Sequence, residues 1–311
     1  MKPDNVFLSR RSFFKSLGGL WVASTLAPSL LHAGKRDAIK KAIPSSGERL
    51  PVIGMGTART FDVDGDAKTM ARLGKVLQAF FNYGGALIDS SPMYGSAERV
   101  LGELLPAVKN KKALFAATKV WTRGKQAGIA QMERSRQLWG ITRFDLMQIH
   151  NLRDWEVHIE TLKAMKAAGK VRYIGITTSH GRFHDDLERA LKKERFDFVQ
   201  FSYNIGNREV ERRLLPLAAE RGIATLINRP YQKGQLFRRV KGRPLPDWAK
   251  EFDCASWGQF FLKFVVSHPA VTCAIPATTK VKHMVDNMGA GFGRLPDAKT
   301  RQRMIRYFES L

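Results

Sequence analysis

Four residues of four different chemistries stand at the ends of short apolar runs or just past them. Asp89 follows Ala86-Leu87-Ile88, and Tyr94 comes five residues later in the turn-prone stretch Ser90-Ser91-Pro92-Met93-Tyr94-Gly95. Lys119 closes an apolar run over 113–119, and His150 closes another over 144–150. Each alone has an ordinary reading, such as a capping Asp or a packed loop Tyr. Together, at strand ends, they are placed for proton chemistry. A free tyrosine has a pKa of about 10 and is a weak acid near neutrality. An ammonium beside it favours phenolate and lowers that pKa. Lys119 can supply this charge with Asp89 holding it in place, and His150 can donate a hydrogen bond to a substrate oxygen. Such a group protonates an alkoxide as it forms on a carbonyl carbon. No side chain can supply hydride, so a nicotinamide cofactor is implied.

The elements that must bring these residues together alternate along the chain. Strands are predicted at 50–57, 86–89, 113–119, 144–150, 171–177, 196–203, 223–228 and 271–275. Helices are predicted between them. Asp66 caps the first, with Met70, Leu73, Leu77 and Phe80 on one face. Ser96 caps the next, and others cover 126–138, a segment ending at Gly169, 183–192, 208–221 with a bend at Pro216, and 256–267. A helix starts near Lys280, and 296–309 forms a peripheral one. The 229–252 stretch has no clear period and reads as a long surface loop. Alternation of this kind means parallel strands, and eight units over about 250 residues fit a single-domain (β/α)8 TIM barrel. An open doubly wound sheet would want a third Gly after the first strand, which Gly54-Met55-Gly56-Thr57-Ala58-Arg59 lacks. In a barrel, Asp89, Tyr94, Lys119 and His150 meet at the carboxyl ends of three neighbouring strands.

In type, order and setting these four residues resemble the catalytic tetrad of the aldo-keto reductase family. The settings are Ile88-Asp89-Ser90-Ser91-Pro92-Met93-Tyr94-Gly95, Thr118-Lys119-Val120-Trp121 and Gln148-Ile149-His150-Asn151. The resemblance covers about residues 45–290. It implies that Tyr94 is the general acid, Lys119 lowers its pKa, Asp89 pairs with Lys119 and His150 orients the carbonyl. It implies NADP-dependent reduction of an aldehyde or ketone to an alcohol. It also marks a cofactor cleft: Gly56 and Thr57 near the nicotinamide ribose, Ser179 and Gln200 on the carboxamide, and Tyr203 stacked on the nicotinamide ring. Arg229 to Gly234 would run along the pyrophosphate, although Arg229-Pro230-Tyr231-Gln232-Lys233-Gly234 departs from the family's Ser-Pro-Leu-Gly loop. Pro276 and Thr278 lie in Ile275-Pro276-Ala277-Thr278-Thr279-Lys280, where helix-start amides can bind phosphate. Lys280, Lys282 and His283 would meet an adenosine 2′-phosphate, which favours NADP over NAD, and Asn287 would meet the adenine. Trp121 and Asn151 would line the substrate pocket.

The 311 residues carry 52 Lys and Arg against 28 Asp and Glu, a net charge of +24. No helix-turn-helix, zinc-finger or aromatic-interleaved basic motif accompanies that charge, so a solvated basic surface is expected rather than specific nucleic-acid binding. Ser9-Arg10-Arg11-Ser12-Phe13-Phe14-Lys15 is a twin-arginine pattern followed by a diluted apolar run to Ala33. Residues 1–33 therefore read as a Tat export signal, recognised by the Tat machinery and implying a periplasmic location, and not as a membrane anchor. They hold Lys2, Arg10, Arg11, Lys15 and Asp4, a net +3, so their removal takes +24 to +21. Residues 34–48 read as a flexible lead-in and 49–311 as the barrel. Cys254 and Cys273 have no metal or redox spacing and are expected as free thiols. His180-Gly181-Arg182-Phe183-His184 lacks the Glu of a zincin helix, so surface histidines are expected there and no metal. A location where nicotinamide cofactor is scarce raises an alternative, a cofactor-binding sensor or interaction protein of the same fold with little turnover.

Overall fold

The computed structural model describes residues 37–311 apart from His180. A short antiparallel hairpin comes first, β1 (Lys40–Ala42) against β2 (Arg49–Pro51). Then come β3 (Met55–Gly56), α1 (Ala67–Asn82), β4 (Leu87–Asp89), α2 (Ala97–Leu104), β5 (Phe115–Val120) and α3 (Lys125–Trp139). Next are β6 (Phe144–Ile149), α4 (Trp155–Ala167), β7 (Val171–Thr177), α5 (His184–Lys193), β8 (Phe198–Ser202), α6 (Leu214–Glu220) and β9 (Ala224–Asn228). The chain ends with α7 (Gln235–Arg239), α8 (Trp257–Val266), β10 (Cys273–Ala274), α9 (Val281–Gly289) and α10 (Ala298–Glu309).

Strands β3 to β10 lie in sequence order in one parallel sheet. The ring is closed by Gly54 N–H to Ala274 O (2.8 Å), Ala274 N–H to Val52 O (2.9 Å) and Gly56 N–H to Pro276 O (3.0 Å). At this seam a Cβ on Gly56 would stand 2.9 Å from the Ile275 carbonyl oxygen, so only glycine lets the edges meet. The fold is the expected (β/α)8 barrel.

Strand pleat sorts the side chains. One apolar set fills the barrel interior, including Leu87, Phe115, Ala117, Leu146, Tyr173, Phe198, Leu226 and Cys273. The other lies between sheet and helices, with Ile88, Ala116, Met147, Ile174, Val199, Phe201 and Ile227. Residues two places beyond the interior set therefore face inward, at the carboxyl end. These are Asp89, Lys119, Gln148, Gly175, Gln200 and Asn228. Position 175 has no side chain for a reason of space: a Cβ there would stand 3.1 Å from Gln148 Cγ and 3.0 Å from Phe198 O.

Several expectations need correction. Residues 37–48 are not a loose lead-in. Their hairpin buries Ile43 and Leu50 in the barrel-interior cluster, and Lys41 Nζ donates to the carbonyls of Val266, His268 and Val271 (2.7–2.8 Å). The expected 50–57 strand is consequently split between hairpin and barrel. Helix α6 begins at Leu214, so Pro216 sits in its first turn, where no intrahelical N–H bond is lost and no bend is needed. The 229–252 stretch is not all loop but holds α7 and two 3-10 turns. Finally, Ser96 does not cap α2; its hydroxyl bonds Val63 N–H and Val63 O (both 2.8 Å) and ties the loop before α1 to the Tyr94 turn. Asp66 caps as expected, accepting from the Thr69 amide, and Ser256 caps α8 in the same way, accepting from the Gln259 amide. Cys254 and Cys273 are both free and buried. His184, expected at the surface, is buried with Nδ1 3.2 Å from Glu209 Oε1. His180 and the twin-arginine segment lie outside the described residues.

Candidate active site

The polar inward layer forms one connected network. Lys119 Nζ donates to Asp89 Oδ2 (2.6 Å) and to Ser90 O (2.7 Å), and the two side chains are 0% and 2% exposed. Asp89 Oδ1 accepts from Gln148 Nε2 (2.8 Å) and Gln200 Nε2 (3.1 Å). Asn228 Nδ2 continues the chain to Gln200 Oε1 (3.3 Å) and Thr178 O (3.1 Å). A buried ammonium and carboxylate survive in such a site because both carboxylate oxygens have donors and the ammonium has two acceptors.

Tyr94 is brought over this pair by a tight turn, its N–H donating to Ser91 O (2.9 Å). Gly95 takes φ +54°, and a Cβ there would run into the Asp62 carboxylate, which accepts the Ser96 amide (3.0 Å). Lys119 Nζ lies 5.1 Å from the Tyr94 ring centroid, close enough for its charge to act on the phenol. His150 packs edge-on to Tyr94, ring centroids 5.7 Å apart at 89°. The four residues read from the sequence are thus gathered at one rim.

Their electrostatics differ from expectation at one point. Burial pushes the Tyr94 phenol above its ordinary value, and the opposing pull of Lys119 does not reverse it. Burial alone would lower the Lys119 ammonium, but the facing Asp89 carboxylate and Tyr94 leave it above its ordinary value. Burial, with Lys119's charge behind it, holds His150 well below its ordinary value, so the imidazole is neutral. At neutral pH the rim presents a protonated phenol beside a charged amine and a neutral ring.

Loops around the rim carry most of the remaining candidates. Trp121 is half-buried, its backbone N–H donating to Gln131 Oε1 (2.6 Å) and its ring covered by Arg153 at 4.9 Å. Asn151 takes φ +53°, and its Oδ1 is buried with no hydrogen-bond partner. Arg229 (φ +50°) reaches Ser179 Oγ (3.2 Å). Burial lowers its guanidinium, which also feels Tyr94 and, repulsively, Arg59. Arg229's charge is the first cause lowering the Lys233 ammonium, and Arg59 adds to it. Arg59, Arg229 and Lys233 therefore form a group of mutually repelling cations at the mouth. Gly234 follows at φ +86° with open space where a Cβ would be. Lys280, Lys282 and His283 are exposed at the start of α9. Burial and then the Lys280 and Lys282 charges hold His283 below its ordinary value.

Of the other expected cofactor contacts, most already have partners within the protein. Tyr203 cannot stack on a ring in the mouth. It shares the outward parity of Val199 and Phe201, is fully buried against Phe264, and its hydroxyl bonds Arg301 (2.6 Å) and Glu211. Gln200 has both amide atoms committed to the polar layer. Asn287 is buried and accepts the Tyr231 hydroxyl at 2.6 Å. Thr57 is buried, its Oγ1 bonded to Ser90 Oγ (2.9 Å), and Gly56 serves the barrel seam. Pro276 gives its carbonyl to that seam, and Thr278 Oγ1 accepts the Lys280 N–H (3.1 Å).

Sequence reasoning missed Gln148, Asn228 and Arg59. Strand parity marks the first two as inward polar groups at strand ends. An exposed loop arginine such as Arg59 carries no such signal. Glu98 was missed as well: it is buried behind β5 and accepts from Thr118 Oγ1 (2.5 Å), Ser135 Oγ (2.7 Å) and Trp139 Nε1 (3.3 Å).

Comparison with known proteins agrees with this arrangement. The model of the aldo/keto reductase family matches residues 52–302. Methylglyoxal reductase YeaE of Escherichia coli (strain K12) is 28% identical over 255 residues, covering 80% of this chain and 88% of the relative. Probable aldo-keto reductase 1 of Glycine max is 25% identical over 276 residues, 73% of this chain and 77% of the relative. An aldo/keto reductase from Klebsiella pneumoniae, solved in complex with NADP and acetate, shares the fold with a TM-score of 0.72 and 21% identity, over 87% of this chain and 95% of that one. With its barrel, its rim of Asp89, Tyr94, Lys119 and His150 and a family match over most of its length, this chain belongs to the aldo/keto reductase family of NAD(P)H-dependent oxidoreductases.

Proposed function

We propose that the chain reduces a small aldehyde or ketone to an alcohol, prefers NADPH to NADH, and uses Tyr94 as the general acid. The observation that carries this reading is the buried Lys119–Asp89 pair, 2.6 Å apart, directly beneath a phenol that keeps its proton. The mouth suits a dinucleotide phosphate. Three cations, Arg59, Arg229 and Lys233, repel one another there, and an anion among them would relieve that repulsion. Asn151 Oδ1 is a buried acceptor lacking a donor, which an amide N–H would satisfy. Lys280, Lys282 and His283 stand at a helix start, a favourable setting for a 2′-phosphate.

The nicotinamide, when bound, supplies the hydride. Tyr94 gives its phenolic proton to the carbonyl oxygen as that oxygen gains charge. Lys119 stabilises the phenolate that remains, and Asp89, held by Gln148 and Gln200, keeps Lys119 under the ring. His150, neutral, holds the carbonyl oxygen by a hydrogen bond. Trp121, with Arg153 over its ring, borders the mouth. Methylglyoxal, named in the relative from Escherichia coli, is a sensible first substrate to try.

Titration of purified protein with NADPH and NADH, followed by turnover with methylglyoxal and a simple ketone, tests the reading. Lys280→Met together with Lys282→Met is expected to weaken NADPH roughly tenfold or more, the scale of a lost charge-assisted contact, while NADH binding stays the same. Equal losses for both cofactors would remove these lysines from the 2′-phosphate. Tight nucleotide binding with no oxidation by any carbonyl would instead favour the sensor reading.

The twin-arginine stretch of residues 9–15 supports a second part of the proposal, export by the Tat route to the periplasm with residues 1–33 removed. In a bacterial host with that pathway, the full chain is expected in the periplasmic fraction. Arg10→Lys with Arg11→Lys should leave it in the cytoplasm. Unchanged fractionation of that variant would refute the assignment.

A further inference from the structure

Ser91 lies in the Tyr94 turn, and its hydroxyl oxygen is 2.8 Å from His150 Nδ1. Both residues are buried, at 0% and 5% exposure. The same oxygen accepts the Met93 N–H at 3.2 Å. We propose that Ser91 is a positioning residue that fixes the tautomer of His150, leaving the proton on Nε2 to face the substrate oxygen. The inference rests on the reductase reading above and assigns a role to a residue outside the four.

A neutral imidazole carries one N–H and one lone pair, and which nitrogen holds the proton follows from the partners. Ser91 has one O–H to give. Its oxygen already receives the Met93 amide, and the acceptor within its reach is the Nδ1 lone pair. A buried hydroxyl proton without an acceptor is costly, about 1–3 kcal/mol. The reverse arrangement, Nδ1–H into Ser91, would strand that proton. It would also turn the Nε2 lone pair toward a carbonyl oxygen, acceptor against acceptor. With Ser91 donating, Nδ1 is the acceptor and Nε2 carries the hydrogen. Among the described residues Nε2 has no hydrogen-bond partner, and it is not one of the fully buried unpaired atoms, so it is the ring nitrogen open to the mouth. Burial and the nearby Lys119 charge keep the ring from taking a second proton.

Nitrogen NMR of histidine-labelled protein reads the tautomer directly, with the His150 signals assigned by their loss in His150→Gln. The wild type is expected to show a pyridine-like Nδ1 and a pyrrole-like Nε2. Ser91→Ala is expected to give mixed tautomers and to lower kcat about fivefold, the scale of one hydrogen bond, with little change in KM. Ser91→Thr, which restores a hydroxyl, should recover the signals and the rate. A pyrrole-like Nδ1 in the wild type, or an unchanged spectrum in Ser91→Ala, would overturn the assignment. Expected spectra in a protein that reduces no carbonyl would sink the reductase reading while upholding the tautomer.

Discussion

Tyr94→Phe is expected to lower kcat for carbonyl reduction by about two to four orders of magnitude, the usual worth of a positioned general acid. The change removes one oxygen and keeps the ring that packs edge-on to His150, so the barrel and the cofactor site stay intact. NADPH affinity should therefore hold within about twofold, which separates lost proton transfer from lost binding. The pH profile is a second reading of the same group. Burial holds the Tyr94 phenol above its ordinary value, more strongly than Lys119 pulls it down. An acid with a raised pKa stays protonated, and so active in reduction, at every pH below that raised value. The rate should be level from neutral into alkaline solution and fall only above the ordinary tyrosine value of about 10. The reverse reaction, which needs phenolate, should rise with pH over the same range. A Tyr94→Phe enzyme within about tenfold of wild type would remove Tyr94 from the proton role.

How much of this was legible in the sequence depended on the strength of the local period. Eight apolar runs divided by helical faces predicted the barrel, and strand ends carrying Asp89, Lys119 and His150 predicted the rim. Lys119 was legible for a physical reason: it is in phase with Phe115 and Ala117, which fill the interior. The same rule, applied to β8, would have turned Tyr203 outward with Val199 and Phe201. Position along a motif suggested the cleft, and the pleat decided otherwise. The hairpin was not legible because its strands are three residues each and its buried content is essentially Ile43 and Leu50. Their inward direction exists only once the barrel provides a floor to cover. Likewise, Gln200 and Asn287 look like free amides in the sequence. Their partners, Asp89 and Tyr231, are 111 and 56 residues away, and no local pattern announces such pairs. The sign of Tyr94's shift was hidden for the same reason, since Lys119 is visible in the sequence and the depth of burial is not.

Lys119→Met should be the most damaging single change for stability and activity together. It leaves the Asp89 carboxylate buried and without its cation, and breaking a buried pair from one side costs about 3–5 kcal/mol. Gln148 and Gln200 still donate to Asp89 Oδ1, but Oδ2 loses its 2.6 Å ammonium partner. Ser90 O loses a donor as well. The chain can escape by taking up a proton on Asp89, so Lys119→Met should lose stability as pH rises through the new, raised pKa of that carboxyl. Adding Asp89→Asn removes the charge and should restore much of the unfolding free energy measured in urea. It should restore none of the turnover, because the phenolate left by Tyr94 would still lack the ammonium of Lys119, the largest opposing charge on that phenol. A Lys119→Met protein as stable as wild type, with the same dependence on pH, would mean that Asp89 and Lys119 do not face each other as a charged pair, and the proton relay built on them would have no support.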